Sequence, residues 1–242
     1  MIEVDTHVHT VLSGHAFSTL TESIKVAKEK GLKGIVITEH GPEVPGGAPY
    51  FIPFIIKNWP DYMEGLRVYK SIEANILGSS GRLDIPRKYL EMLDFVIAGL
   101  HFVPVEDFCE KNTTEAYIAA YEDKLVDAIA HPDNAKYPAD FEEVVKAAKR
   151  NDKLVELNNQ SINMREGGKE NIPLIMKLCI KYDVRIVVAS DAHVCYNVGE
   201  FSVAKEILKE INFPHELILN SSIDKFEEYI KQRAKRLTNS KA

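Results

Sequence analysis

His7 and His9 are separated by a single residue. In an extended strand alternate side chains share a face, so the two imidazoles project the same way, a few ångströms apart, and can share one cation. Asp191 and His193 repeat the spacing, although a turn after Ser190 leaves their relative direction open. His40, His101 and His131 each follow a short apolar run, His15 lies in the loop beyond His9, and Glu73 closes the run ending Ser71-Ile72. Imidazole and carboxylate donors without thiolates suit Zn2+, Mn2+ or Fe2+, and ligand softness does not choose among them. His7, His9, His15, His40, Glu73, His101, His131, Asp191 and His193 make nine candidates. One zinc usually takes four ligands, or three and a water, so two or three ions are implied.

The elements that would gather these residues are strand-then-helix units. Apolar runs at Ile2 to Asp5, Gly34 to Thr38, Leu66 to Ile72, Phe95 to Leu100, Asp127 to Ala130, Leu154 to Leu157 and Arg185 to Ala189 read as seven strands. Between them Leu20 to Lys30, Pro86 to Leu93, Glu115 to Lys124, Asp140 to Arg150 and Ile172 to Tyr182 carry helical periodicity, and helices at Ser202 to Ile211 and Asp224 to Arg236 follow. In Asp140 to Arg150, Phe141, Val144, Val145 and Ala148 recur on one face, with Glu142, Glu143, Lys146 and Lys149 opposite. The first run enters Thr6-His7-Val8-His9 rather than a glycine-rich turn, which favours a closed TIM-like barrel over an open nucleotide-binding sheet. In a barrel all strand carboxyl ends converge on one face, so residues scattered along the chain would point into one pocket. A lone histidine after a strand is more often a hydrogen-bonded structural residue, but seven of the eight histidines fall on this one face. His215 stands apart in a turn and reads as exposed.

With 242 residues, 45% of them hydrophobic, the chain reads as a single α/β domain over residues 1–242. A formal charge of -6 and a pI near 5.8 leave no broad basic face for long nucleic acid. No run reaches the length of a membrane span, and the start of the sequence shows no apolar signal segment. Cys109, Cys179 and Cys195 form no CxxC pair and cannot all pair, which suits a reducing compartment, so a cytoplasmic location is expected. Arg233 to Ala242 reads as a solvated tail. The stretch Gly41 to Pro60 carries Tyr50, Phe51, Phe54 and Trp59, expected to pack the loop against the barrel or to form a lid or subunit contact.

The succession Asp5-Thr6-His7-Val8-His9-Thr10, His15, Ile37-Thr38-Glu39-His40, Glu73, His101, His131-Pro132 and Ser190-Asp191-Ala192-His193 resembles the polymerase and histidinol phosphatase (PHP) superfamily over nearly the whole chain. It is most similar to the YcdX-like group of phosphatases, which accepts Glu39 where many members have aspartate. The resemblance implies a distorted (β/α)7 barrel and a trinuclear zinc centre. His7, His9, Glu73 and Asp191 would hold one ion, Glu73 would bridge to a second held by His101 and His131, and His15, His40 and His193 would hold the third. Glu156-Leu157-Asn158-Asn159 and Arg165-Glu166-Gly167-Gly168 are also similar to the group. Possible trimers are a further property of the group, with the Tyr50 to Trp59 stretch as a candidate contact.

The expected activity is metal-dependent hydrolysis of a small phosphorylated substrate, with Asp191, Glu73 and Arg165 as the catalytic set. Closely spaced ions lower the pKa of a shared water, hold the hydroxide for in-line attack and offset phosphoryl charge. A guanidinium fork matches phosphate oxygens, so Arg165 is read either as a phosphate clamp or as a solvated loop residue. Asn158 is read as orienting a ligand or forming a turn, and Asp5 as accepting a hydrogen bond from a ligand imidazole. Cys195 reads as a packed thiol. The rival activities are a phosphodiesterase or 3'-5' exonuclease acting on nucleotides or short oligonucleotides, an amidohydrolase, for which no bridging lysine is evident, and a non-catalytic metal-binding protein.

Overall fold

The computed structural model describes residues 1–101 and 108–239. Its strands are β1 (Val4–Val8), β2 (Gly34–His40), β3 (Tyr62–Met63), β4 (Leu66–Asn75), β5 (Ile97–Gly99), β6 (Ala128–Ile129), β7 (Leu154–Asn158) and β8 (Ile186–Ala189). They form one sheet in the order β1-β2-β4-β5-β6-β7-β8, every adjacent pair parallel, with β3 added antiparallel to β4. Every residue of β1, β2, β4 and β7 is buried. That is expected of parallel strands covered on both faces, and it explains why they read as apolar runs.

The ring closes between β8 and β1 without a regular ladder. A single bridge joins Val8 to Ala192. Below it, the buried Asn220 side chain accepts from the Val188 N–H at 3.0 Å and donates to the carbonyls of Val4 at 2.7 Å and Val188 at 2.6 Å. A side-chain amide thus satisfies backbone groups that a closed barrel would pair directly. The outcome is the seven-unit barrel expected from the alternation of elements, distorted as the resemblance implies.

Around it lie α1 (Leu20–Glu29), α2 (Ile52–Ile56), α3 (Arg87–Leu90), α4 (Glu110–Glu122), α5 (Phe141–Arg150), α6 (Ser161–Met164), α7 (Gly168–Tyr182), α8 (Ser202–Glu210) and α9 (Ile223–Asn239). Local chemistry sets their ends. Thr19 and Glu22 form a reciprocal capping box at the start of α1, and Asp140 caps α5, whose first turn is acidic and last turn basic. Val144, Val145 and Ala148 are buried as their periodicity requires, and Phe141 packs against the same core.

Three expectations need correction. The segment from Arg233 onward is not a solvated tail, because α9 runs to Asn239 and Arg233 is buried, donating from Nε to Asp127 Oδ2 at 2.6 Å and to the carbonyls of Leu93 and Leu125. Residues 240–242 lie outside the described residues. In Gly41 to Pro60 Trp59 packs against the core as expected, with Ile52 and Ile56 of α2 packed inward against Ile72, Ala74 and Ile85, while Tyr50, Phe51 and Phe54 stay exposed. Strand β1 begins at Val4 and runs to Val8, so His7 lies inside the strand rather than after it. Among the described residues no helix is long and apolar enough to cross a membrane.

Candidate metal centre

The strands deliver the candidate residues to one end of the barrel. His7 lies in β1, His40 ends β2, and Glu73 lies near the end of β4 in direct register with His40. His101, His131 and Asp191 each stand two residues beyond the last residue of β5, β6 and β8. His131 and Asp191 have φ of 32° and 54°. This left-handed backbone, unusual outside glycine and turn-forming residues, turns both side chains inward. Gly99, just before His101, has no room for a side chain. An added Cβ would lie 3.0 Å from His101 Cε1, 3.1 Å from Glu73 Oε1 and 3.2 Å from His131 Cε1.

Glu73 is the hub. Its Oε2 lies 3.3 Å from His7 Nε2, 3.5 Å from His9 Nε2 and 2.8 Å from His40 Nδ1, while Oε1 lies 2.8 Å from His131 Nε2 and 3.1 Å from His101 Nε2. Asp191 Oδ1 is 3.4 Å from His7 Nε2 and 3.3 Å from His9 Nε2. His15 Nε2 is 3.2 Å from His40 Nε2 and 3.1 Å from His193 Nε2. Three groups have donor atoms close enough for a common ion: His7, His9 and Asp191; His40, Glu73 and His101; and His9, His40 and His193. All nine candidates are therefore brought together. His9 and His40 each belong to two groups, a sharing that the spacing alone did not suggest.

The hydrogen bonds behind the rings fix which nitrogen faces the centre. His7 Nδ1 donates to Glu156 Oε1 at 2.6 Å. Ser13 Oγ donates to Glu39 Oε2 at 2.6 Å and accepts the His40 N–H at 3.0 Å, so its remaining capacity is as acceptor, from His9 Nδ1 at 3.0 Å. Both Nε2 atoms thus present lone pairs inward, 2.9 Å apart. Lone pairs that close repel unless a cation or proton lies between them. Ligand bonds of 2.0–2.1 Å around one tetrahedral zinc put donor atoms about 3.3 Å apart, the order of separation seen throughout the cluster. His101 Nδ1 and Nε2, His40 Nδ1 and Glu73 Oε2 are buried without a hydrogen-bond partner, which is costly for polar atoms unless something else satisfies them. The donor set fits borderline cations.

Titration behaviour agrees. Burial opposes the His7 imidazolium, but the carboxylates of Asp191, Glu156 and Glu73 outweigh it and hold its pKa well above the ordinary value. Burial together with neighbouring His40 pushes His9 well below, and burial with Arg165 nearby takes His131 down to about 4. Glu73 and Asp191 stay ionised despite burial because the imidazoles, and Arg165 for Asp191, hold their pKa values well below the usual range.

Arg165 is not a solvated loop residue. Its Nη2 donates to Asp191 Oδ2 at 2.8 Å and its Nη1 to Ser161 Oγ at 3.1 Å, and it lines a cavity of about 470 Å3 together with His15, His40, His101, His131, Asp191 and His193. Asn158 both holds the candidate ligand Asp191 and makes a turn, donating to Asp191 Oδ2 at 3.1 Å and accepting the Gln160 N–H at 3.0 Å. Asp5 does not bond a ligand ring. Its carboxylate accepts the backbone N–H groups of Ser190 at 3.0 Å and Gly199 at 2.8 Å, knitting β1 to the loop after β8. The ring-bonding role expected of Asp5 belongs to Glu156, which also accepts the His131 N–H at 2.7 Å. Its position on β7 was visible in the sequence, but its pairing with His7 is made by barrel closure. Cys195 belongs to none of the groups.

Comparison with known proteins follows the same line. The model of the PHP domain family matches residues 5–167. A protein of Acetivibrio thermocellus named "Probable phosphatase" is 45% identical over 235 residues, covering 97% of both chains. One of Caldanaerobacter subterraneus subsp. tengcongensis, also named a probable phosphatase, is 45% identical over 238 residues, covering 97% of this chain and 93% of the relative. Among solved structures, the histidinol phosphate phosphatase of Lactococcus lactis subsp. lactis, complexed with zinc, L-histidinol and phosphate, superposes with a TM-score of 0.58 at 15% identity, covering 88% of this chain and 94% of that one. A chain of an archaeal ribonuclease P bound to mature tRNA gives 0.60 at 16% identity, over 95% and 90%. At such identities these two likenesses show the fold alone.

Proposed function

The chain belongs to the PHP domain family, and on that premise we propose that it is a phosphatase that hydrolyses small phosphate esters at a centre of three zinc-type ions. The observation that carries this reading is the pair of inward lone pairs on His7 and His9, 2.9 Å apart and flanked by two ionised carboxylates. A metal ion between the nitrogens relieves that arrangement, as a proton on His7 does in its absence. His7, His9 and Asp191 would hold one ion with one oxygen of Glu73, His101 and His131 a second with the other oxygen, and His15, His40 and His193 the third. Bound there, the ions supply Lewis acidity that acidifies water and offsets charge on a phosphoryl group.

The chain's own residues do the rest. Glu73 sets the spacing of two subsites by presenting one oxygen to each. Arg165 keeps Asp191 aimed inward and holds a guanidinium on the cavity wall, where phosphoryl oxygens would lie. His15, which is exposed, and His101 and His193, 14% and 26% exposed, turn the centre toward the cavity, while His7, His9, His40, Glu73, His131 and Asp191 are nearly sealed from bulk water. An amidohydrolase commonly carries a lysine that bridges two ions. Both lysines buried among the described residues point elsewhere, Lys70 to Asp61 and Lys153 to the carbonyls of Asp123 and Val126.

Elemental analysis of purified protein, paired with phosphate release from p-nitrophenyl phosphate and from a dinucleotide, tests the reading. About three ions per chain and turnover of the monoester are expected. Metal-replete protein that releases no phosphate from any monoester overturns it, and turnover of the dinucleotide alone would make the chain a phosphodiesterase.

A further inference from the structure

Phe17 and Met164 are 80% and 73% exposed, which with Met1 and Tyr196 makes them the most exposed large apolar side chains among the described residues. Single exposed apolar residues need no explanation. These two, however, line one cavity, the one into which the candidate metal ligands open. Neither is a loose end. The Phe17 N–H donates to the His193 carbonyl at 2.7 Å, and the Met164 N–H donates to the Gln160 carbonyl at 3.1 Å. Fixed backbone therefore presents both side chains, one two residues from His15 and the other beside Arg165. The same lining includes the apolar Val44, Pro45 and Leu100 and the ring of Tyr137, beside the polar Asn134, Lys136, Gln160 and Glu166, and most of its area is apolar. Among the described lining residues the only fixed cations are Lys136 and Arg165. That provision suits a single phosphoryl group, and the volume suits one small molecule.

Resting on the phosphatase reading, we propose that the substrate is the phosphate monoester of a small alcohol with an aromatic or aliphatic body, and that Phe17 and Met164 grip this body at the cavity mouth. A polyol or sugar would set more hydroxyls against a mostly apolar surface than the few polar side chains of the lining can serve. An apolar body removes both exposed side chains from water, and flexible thioether and aromatic surfaces adapt to rings of different shape.

The test uses metal-loaded enzyme and three alkyl esters, 2-phenylethyl phosphate, ethyl phosphate and glycerol 3-phosphate, chosen because their leaving alcohols differ little in acidity. The phenylethyl ester should show a kcat/KM at least about tenfold above the ethyl ester, as expected for burying part of one ring. Glycerol 3-phosphate should gain nothing over ethyl phosphate. In Phe17→Ala and Met164→Ala the phenylethyl-to-ethyl ratio should fall several-fold, chiefly through KM. Equal or better turnover of glycerol 3-phosphate overturns the proposal while leaving the phosphatase reading intact. An unchanged ratio in both variants overturns the assignment to these residues. Silence on all three esters and on p-nitrophenyl phosphate overturns the phosphatase reading and this proposal with it.

Discussion

Glu156 is the residue through which the outer hydrogen bonds of the centre can be tested most sharply. One oxygen accepts from His7 Nδ1 at 2.6 Å, and the other accepts the His131 N–H at 2.7 Å and Asn158 Nδ2 at 3.2 Å. Glu156→Gln keeps the shape but offers a single acceptor oxygen. If that oxygen stays on His7, the amide N–H2 faces the His131 N–H, donor against donor; if it turns to His131, the His7 ring loses its partner and its tautomer lock. Either way a ligand of one of two adjacent subsites is released. Loss of such a partner typically costs 10–100-fold in metal affinity, equivalent to about 1.4–2.7 kcal/mol. Competition titration with a chromophoric zinc chelator measures this directly. The metal-free protein supplies an independent sign. Because Glu156 helps raise the His7 pKa, the stability that His7 contributes is full below its unfolded value of about 6.5 and is lost as pH rises through the folded value. The stability deficit of metal-free Glu156→Gln should therefore be largest below about pH 6.5 and shrink as pH climbs. Unchanged zinc affinity and stoichiometry in the variant would refute the reasoning.

Three further outcomes follow from other parts of the molecule. Gly99→Ala places a Cβ among His101, Glu73 and His131, so it should lower the metal count by about one ion per chain by elemental analysis while circular dichroism stays native. Arg233→Leu strands the buried Asp127 carboxylate and should cost about 3–5 kcal/mol in urea unfolding. Activity per folded molecule should be retained, because this pair lies at the opposite end of the barrel. The metal-free protein should lose stability as pH falls from about 6.5 toward about 4: His131, pushed down to about 4 by burial and Arg165, binds its proton less readily folded than unfolded, so acid favours the unfolded chain across that window. Thermal unfolding followed against pH reads this, and a flat profile would contradict it.

The gathering of the candidate residues at one end was legible in the sequence because a parallel barrel converts a one-dimensional pattern into a place. A polar residue just past an apolar run lands on the carboxyl face whatever its partners are, so His40, His101, His131 and Asp191 needed no knowledge of contacts. What failed were pairings across closure. Asp5 and Glu156 are both acids in or beside the ring of strands, and only the register of β1 against β8 and the loop geometry decide that Asp5 bonds backbone while Glu156 reaches the His7 ring. Arg233 was misread for a related reason. A charged residue near the end of a polar helix looks solvated, and nothing local announces a buried aspartate 106 positions away. The two-residue β3 carries too little pattern to register.

The two ends of the barrel also divide the energetic burden. At the carboxyl end seven histidines and two acids are held together with lone pairs opposed and polar atoms unpartnered, an arrangement that disfavours the metal-free fold. At the amino end α9 lays Phe226 and Tyr229 against Phe95 and Tyr69, and Asp127 accepts from Arg233, the Tyr229 hydroxyl and the Val96 N–H, so that both oxygens of that carboxylate are hydrogen-bonded. A satisfied, aromatic-packed base is what allows an unsatisfied top to persist until cations arrive. Metal binding should then raise the unfolding temperature strongly in the parent chain. In Arg233→Leu, with the base weakened, stability should depend on bound metal still more, so that chelation unfolds the variant at temperatures where the chelated parent stays folded.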